Sequence, residues 1–300
     1  MRVLITGASG LMGRVVYKNF NDSGHQVLGL AKSRLKNGLK RCDLTEKSSL
    51  EPIIQEFKPD VLINTAAERR PDVAEKNRDA TLELNVNVPA NIATLSKTYN
   101  FLLIHISTDY VFDGKNPPYN VDDKPNPLNF YGETKYQSEI SVQKANPQAI
   151  ILRVPILYGE VEYPGESAVN ILLESVKNST KQVEMDHYAI RYPTNVQDVA
   201  KVIKEISEKV IEQKLQISGI LHYSANENFT KYQMCEVFSK LLNLPIDHLK
   251  PIDSIPESAA VSRPYDCHLS TEKLVNSGID VSCIKFNDWW KDYLSSKLFI

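Results

Sequence analysis

The sequence predicts an α/β protein built on a doubly wound, mostly parallel sheet. Three observations carry this. Short apolar runs at Val3–Ile5, Val61–Asn64, Phe101–Ile106 and Ile150–Val154 alternate with stretches of helical spacing. The first run enters a glycine turn and then a helix without a break. Tyr131 and Lys135 then stand one turn apart at a helix start, downstream of a Ser107-Thr108 strand end.

Composition bounds the class. The 300 residues suit one large domain or two lobes, and 42% hydrophobic with 24% charged residues is ordinary for a soluble globule. A net charge of −2 gives nucleic acid or an acidic membrane surface nothing to select. No apolar run approaches the ~20 residues that span a bilayer. Cys42, Cys235, Cys267 and Cys283 are widely spaced and form no C-x-x-C pair, so reduced thiols are expected rather than zinc or disulfides. With the first strand beginning at once, no leader is expected, and the location predicted is cytoplasmic or nuclear.

In chain order, Gly7, Gly10 and Gly13 follow the first strand with the spacing G-x-x-G-x-x-G and Ser9 between them. Glycine lets the backbone come close to a pyrophosphate. The N–H groups at the following helix start, near Leu11 and Met12, point at the anion and add the helix dipole. Gln26–Leu30 reads as the second strand. An NAD site places a carboxylate near this strand end to bond the ribose 2′-hydroxyl. Here Lys32, Ser33 and Arg34 stand instead, which favours the 2′-phosphate of NADP; a solvated basic loop is the alternative. Asp43-Leu44, ending a short third strand, suits the adenine edge. Thr65, Ala66 and Ala67 after the fourth strand are small enough to let ribose and phosphates lie against the backbone. Glu68-Arg69-Arg70-Pro71-Asp72 is a charged loop at the same edge, fitted either to an anionic ligand or to a salt-bridged interface. The long helix over 81–99 carries Asn85, placed among the cofactor contacts. His105, within an apolar strand, reads as a core histidine. Pro155 and Leu157, beyond the sixth strand at 150–154, lie where a nicotinamide carboxamide would find backbone partners. Helices are expected over 166–177, 196–209 and 231–242, with a returning strand at 219–224 and Arg263-Pro264 in a loop facing the cleft.

The richest stretch is 107–135. Tyr131 and Lys135 share a helix face, and Ser107-Thr108 can reach them from the sheet edge. A free phenol with a pKa near ~10 is a poor acid at neutral pH. A neighbouring Lys135 ammonium is expected to lower it and to bond the nicotinamide ribose. Thr108 would bond a substrate carbonyl oxygen as charge develops on it, and Tyr131 would supply the proton as hydride arrives.

At these residues the chain resembles an extended short-chain dehydrogenase/reductase. The resemblance implies a Rossmann-like domain over 1–154 plus 193–225, and a smaller, discontinuous C-terminal substrate or partner lobe over 155–192 plus 226–300. The stretches 107–114 and 127–132 resemble dTDP-4-dehydrorhamnose reductases. The stretches 66–73, 155–162, 166–169, 185–187 and 230–232 are similar to the regulatory (beta) subunits of methionine adenosyltransferase. That group implies NADP(H) binding, a retained Thr108/Tyr131/Lys135 triad, and assembly with the catalytic adenosyltransferase subunit. It also implies a C-terminal tail that plugs into the partner. Residues 290–300 are apolar enough for that, and equally for packing on their own lobe. The alternative activity is NADPH-dependent reduction of a nucleotide-linked 4-keto sugar.

Overall fold

A computed structural model describes residues 1–36, 38–254 and 261–297. Alternation of apolar side chains builds the centre of the molecule. Strands β1 (Arg2–Thr6), β2 (Gln26–Ala31), β3 (Lys40–Arg41), β4 (Val61–Asn64), β5 (Leu102–Thr108) and β6 (Ile150–Val154) join β10 (Gly219–His222) in one seven-stranded sheet. Its order is β10-β6-β5-β4-β1-β2-β3, and every pairing is parallel. Parallel strands need crossovers, and helices supply them on both faces. Val3, Ile5, Ile63 and Ile104 point to one face, where they meet Val16 and Phe20 of α1 (Leu11–Asp22) and Val199 and Ile203 of α8 (Val196–Ile211). Leu4, Leu62, Leu103 and Ile151 point to the other face. There they meet Ile53 and Ile54 of α2 (Glu51–Phe57), Ile92 of α5 (Val88–Tyr99) and Val142 of α6 (Phe130–Ala145).

The switch of connection from one side of β1 to the other leaves a crevice at the carboxyl ends of β1 and β4, the usual ligand position in such sheets. The loop predicted at 68–72 continues into two short helices, α3 (Pro71–Lys76) and α4 (Arg78–Leu82). The long helix predicted from residue 81 runs through a π-turn at Glu83–Asn87 before α5. Pro89 has no N–H to give the carbonyl of residue 85, so the ladder must widen there.

A second core lies beyond β6. Strand β7 (Leu157–Tyr158) pairs with β9 (Thr194–Asn195), and β8 (Val183–Asp186) pairs with β11 (Leu249–Ile252). Helices α7 (Asn170–Lys177), α9 (Lys231–Leu242) and α11 (Phe286–Lys297) close around Leu172, Phe238, Phe286 and the fully buried Trp290. Helix 166–177 therefore starts later than predicted, after a single turn at Pro164–Glu166. The apolar side of α11 packs on its own lobe through Trp290 and Leu294; the tail beyond it, 298–300, lies outside the described residues. The segment around α10 (Glu272–Asn276), expected in the smaller lobe, sends Leu274 and Ile279 into the core of the sheet. All four cysteines carry free thiols. Among the described residues no helix is long and apolar enough to cross a membrane.

Candidate functional site

The crevice is a cavity of about 490 Å³, a size typical of small-molecule sites. Its floor is the glycine turn. Gly7 has φ +66°, open to glycine at little cost, and a Cβ there would sit 2.9 Å from the Ala66 nitrogen and the Thr65 hydroxyl. A Cβ on Gly13 would lie 2.2 Å from the Gly7 carbonyl oxygen. Both glycines thus hold the turn against β4 and α1. The backbone N–H groups of Leu11, Met12 and Gly13 find no acceptor among the described residues. A glycine turn with unpaired N–H groups fits the diphosphate of a dinucleotide.

Of the predicted residues, Gly10, Leu11, Met12, Gly13, Thr65 and Ala67 line the cavity. So do Arg34, Ser107, Thr108, Tyr131, Lys135, Pro155 and Leu157. Gly7 and Ser9, in the turn itself, and Ala66, against which Gly7 packs, are not in the wall. Lys32, Ser33, Asp43 and Leu44 are not in the wall. Lys32 is bonded to Asp43 at 2.8 Å, and with Thr45 it holds that carboxylate below its usual pKa. Asn85 is fully buried, and its amide bridges the N–H and C=O of Glu68 at 2.9 and 3.0 Å. It shapes the loop after β4 and has no face toward the cavity.

The triad region departs from expectation in its electrostatics. The expected lowering of the Tyr131 pKa by Lys135 is not found. Burial pushes the phenol up, and the neighbouring Thr108 side chain offsets only part of the rise. The lysine is drawn away. Its Nζ donates to the Ile106 carbonyl at 2.7 Å and lies 3.2 Å from His105 Nε2. Burial pulls its pKa down to about 8. His105 is a core residue as expected, yet it stands directly behind Lys135. It also touches Ser138 Oγ at 2.9 Å and Asn64 Nδ2 at 3.0 Å, and Asn64 in turn accepts the Thr6 hydroxyl at 2.6 Å. Burial, then the charge of Lys135, holds the imidazole well below its ordinary pKa. Thr108 donates to Asp109 at 3.0 Å, and burial pushes that carboxyl up to about 7. Ser107 donates to Glu139, whose carboxylate forms a buried pair with Arg153 at 2.6 Å.

Arg69, Arg70, Arg191, Lys231 and Arg263 also line the cavity. Arg70 is bonded to Glu68 within its own loop. Arg191 pairs with Asp186 at 2.6 Å, and Arg263, lining the cavity with Pro264, reaches Asp72 at 3.1 Å. Burial, then Arg191 and Arg263, pulls Lys231 down to about 8. Sequence reasoning missed Arg14, Glu162 and Glu166. These lie 152 residues apart in the Arg14–Glu166 case, and no local pattern signals their meeting.

A parallel sheet, a glycine turn at its switch point, and a threonine, tyrosine and lysine on one cavity wall define an extended short-chain dehydrogenase/reductase. More narrowly, the chain belongs to the RmlD substrate binding domain family, whose family model matches residues 1–295. It is 41% identical over 98% of its length to methionine adenosyltransferase 2 subunit beta of Danio rerio, covering 90% of that protein. It is 36% identical over 74% of its length to the dTDP-4-dehydrorhamnose reductase of Aggregatibacter actinomycetemcomitans, covering 73% of it. Among solved structures, the dTDP-4-dehydrorhamnose reductase of Bacillus anthracis in complex with NADP matches with a TM-score of 0.85 and 25% identity, over 98% of this chain and 99% of that one.

Proposed function

We propose that this chain is an NADP(H)-binding regulatory subunit that docks on a methionine adenosyltransferase and modulates S-adenosylmethionine synthesis in the cytoplasm. The observation that carries the reading is the 41% identity to a methionine adenosyltransferase beta subunit across almost the whole chain. The glycine turn, the unpaired N–H groups of Leu11 and Met12, and Arg34 in the wall support NADP(H) as the cofactor. In this reading the Rossmann-like part is 1–154 plus 193–225, joined by the segment around α10, and the rest of 155–192 plus 226–300 is the substrate or partner lobe. A pull-down tests it: the purified chain should recover the adenosyltransferase from extract of its own cells, and recovery of none refutes docking.

A second reading is an NADPH-dependent reductase of a nucleotide-linked 4-keto sugar. Its specific support is that Thr108, Tyr131 and Lys135 share one cavity wall. When bound, the cofactor would supply hydride. Thr108 would orient a carbonyl, Tyr131 would deliver the proton, and Lys135 would hold the ribose. The assay is NADPH oxidation with a dTDP-4-keto-6-deoxy sugar. A parent rate no higher than that of Tyr131→Phe removes this reading.

A further inference from the structure

The segment 160–166, between β7 and α7, is strapped beside the glycine turn by cations from helix α1, the loop after β2 and the loop after β4. Glu166, whose side chain is 3% exposed, accepts both terminal nitrogens of Arg14 at 2.7 and 2.8 Å. It also accepts Arg34 at 3.2 Å. Glu162 accepts Arg34 at 3.0 Å, with Arg14 at 3.8 Å and Lys36 at 3.7 Å. The Glu162 N–H donates to Glu166 Oε2 at 2.9 Å, which ties the two carboxylates into one unit. From the β4 side, Arg69 donates to the carbonyl oxygens of Gly165 and Glu166 at 3.3 and 2.6 Å. Two anions therefore sit on the guanidinium that the loop after β2 presents to the cavity, while Lys32 of the same loop is held by Asp43.

Both carboxylates take Arg34 through its Nη1, and a phosphate dianion seeks the same guanidinium charge, so the carboxylates and the phosphate compete for it. Building on the NADP(H) reading, we propose that Glu162 and Glu166 are built-in competitors for the cofactor's 2′-phosphate. They hold Arg34 when that phosphate is absent, and they set the preference for NADP(H) over NAD(H) below what Arg34 alone would give. Arrival of the phosphate transfers Arg34 from Glu162 and loosens one anchor of the strap. Arg14 keeps Glu166, so the strap is retained rather than thrown open.

The test is binding of NADPH and NADH to the full chain by titration calorimetry, in the parent, Glu162→Gln, Arg34→Ala and the double variant. Glu162 is the target because its side chain is 29% exposed and its amide isostere keeps the strap folded, which a thermal melt checks. Glu162→Gln should tighten NADPH about two- to fivefold, the scale of one partly exposed ion pair, and leave NADH unchanged. Arg34→Ala should weaken NADPH, and adding Glu162→Gln to it should then change nothing. Equal tightening of both nucleotides overturns the proposal, because it would report general loss of negative charge near the diphosphate. Unchanged NADPH affinity in Glu162→Gln overturns it as well. If the parent binds neither nucleotide, the NADP(H) reading itself falls and the competition falls with it.

Discussion

Replacing Arg153 with methionine should be among the most damaging single changes in the sheet. Arg153 and Glu139 are each 1% exposed, on β6 and α6 respectively. The guanidinium donates to Glu139 Oε1 at 2.9 Å and Oε2 at 2.6 Å, and it lies 3.1 Å from the buried His222 Nε2. Methionine fills most of the volume but leaves Glu139 with only the Ser107 hydroxyl as a polar side-chain partner. Removing one member of a buried pair strands the other charge away from water, at a cost of about 3–5 kcal/mol. With roughly 2 cal/mol/K of unfolding entropy per residue, a chain this long should lose about 5–8 °C of Tm. Differential scanning calorimetry measures it directly. The double variant Arg153→Met/Glu139→Leu should recover most of the loss, because neither charge of the pair then remains buried. A single-variant loss below ~1 kcal/mol, or a double variant no better than the single, would refute the view that the stranded carboxylate dominates.

Three other outcomes follow from the same physical reasoning. Gly13→Ala should lower stability by about 1–3 kcal/mol and abolish NADPH binding, since the new Cβ meets backbone at 2.2 Å, whereas Gly10→Ala, at 3.2 Å from the Gly7 oxygen, should be milder in calorimetry and titration. Asp109, with its folded pKa raised to about 7, contributes stability that is full below its unfolded value of 3.8 and lost as pH rises through 7; Asp109→Asn should flatten that decline, seen as a gap in Tm that opens in its favour between pH 4 and 7. Lys135, lowered to about 8, should lose its charge as pH passes 8, well before ordinary lysines near 10.5; its side-chain resonance followed by NMR against pH should titrate there, and a midpoint near 10.5 would contradict its burial.

Local pattern made much of this molecule readable. The sheet strands, the glycine turn and the Tyr131–Lys135 pair depend on spacings within one strand–turn–helix unit, and each is set by neighbours a few residues away. Cofactor-side features that depend on distant chain meeting were not readable. The Arg14–Glu166 pair is one. Another is the burial of Tyr131, which raises the phenol that was expected to be acidified, while Lys135 is bonded to the Ile106 carbonyl beside His105. A charge near a phenol in sequence does not fix where its ammonium points once burial and a free carbonyl compete for it. The Lys32–Asp43 contact belongs here too: both residues were read as cofactor contacts, and each satisfies the other. The short helix α3 was hidden because Arg-Arg-Pro-Asp reads as a loop, although Pro at the first helical position is favourable.

The burial of Trp290 has a practical side. Both tryptophans of the chain, Trp289 and Trp290, belong to the aromatic cluster around Tyr158, Phe286 and Tyr293 in the smaller lobe. Indole emission therefore watches that cluster alone and is blind to melting of the sheet. Far-ultraviolet dichroism and tryptophan fluorescence followed together during denaturation would show at once whether the two halves come apart in one step or two.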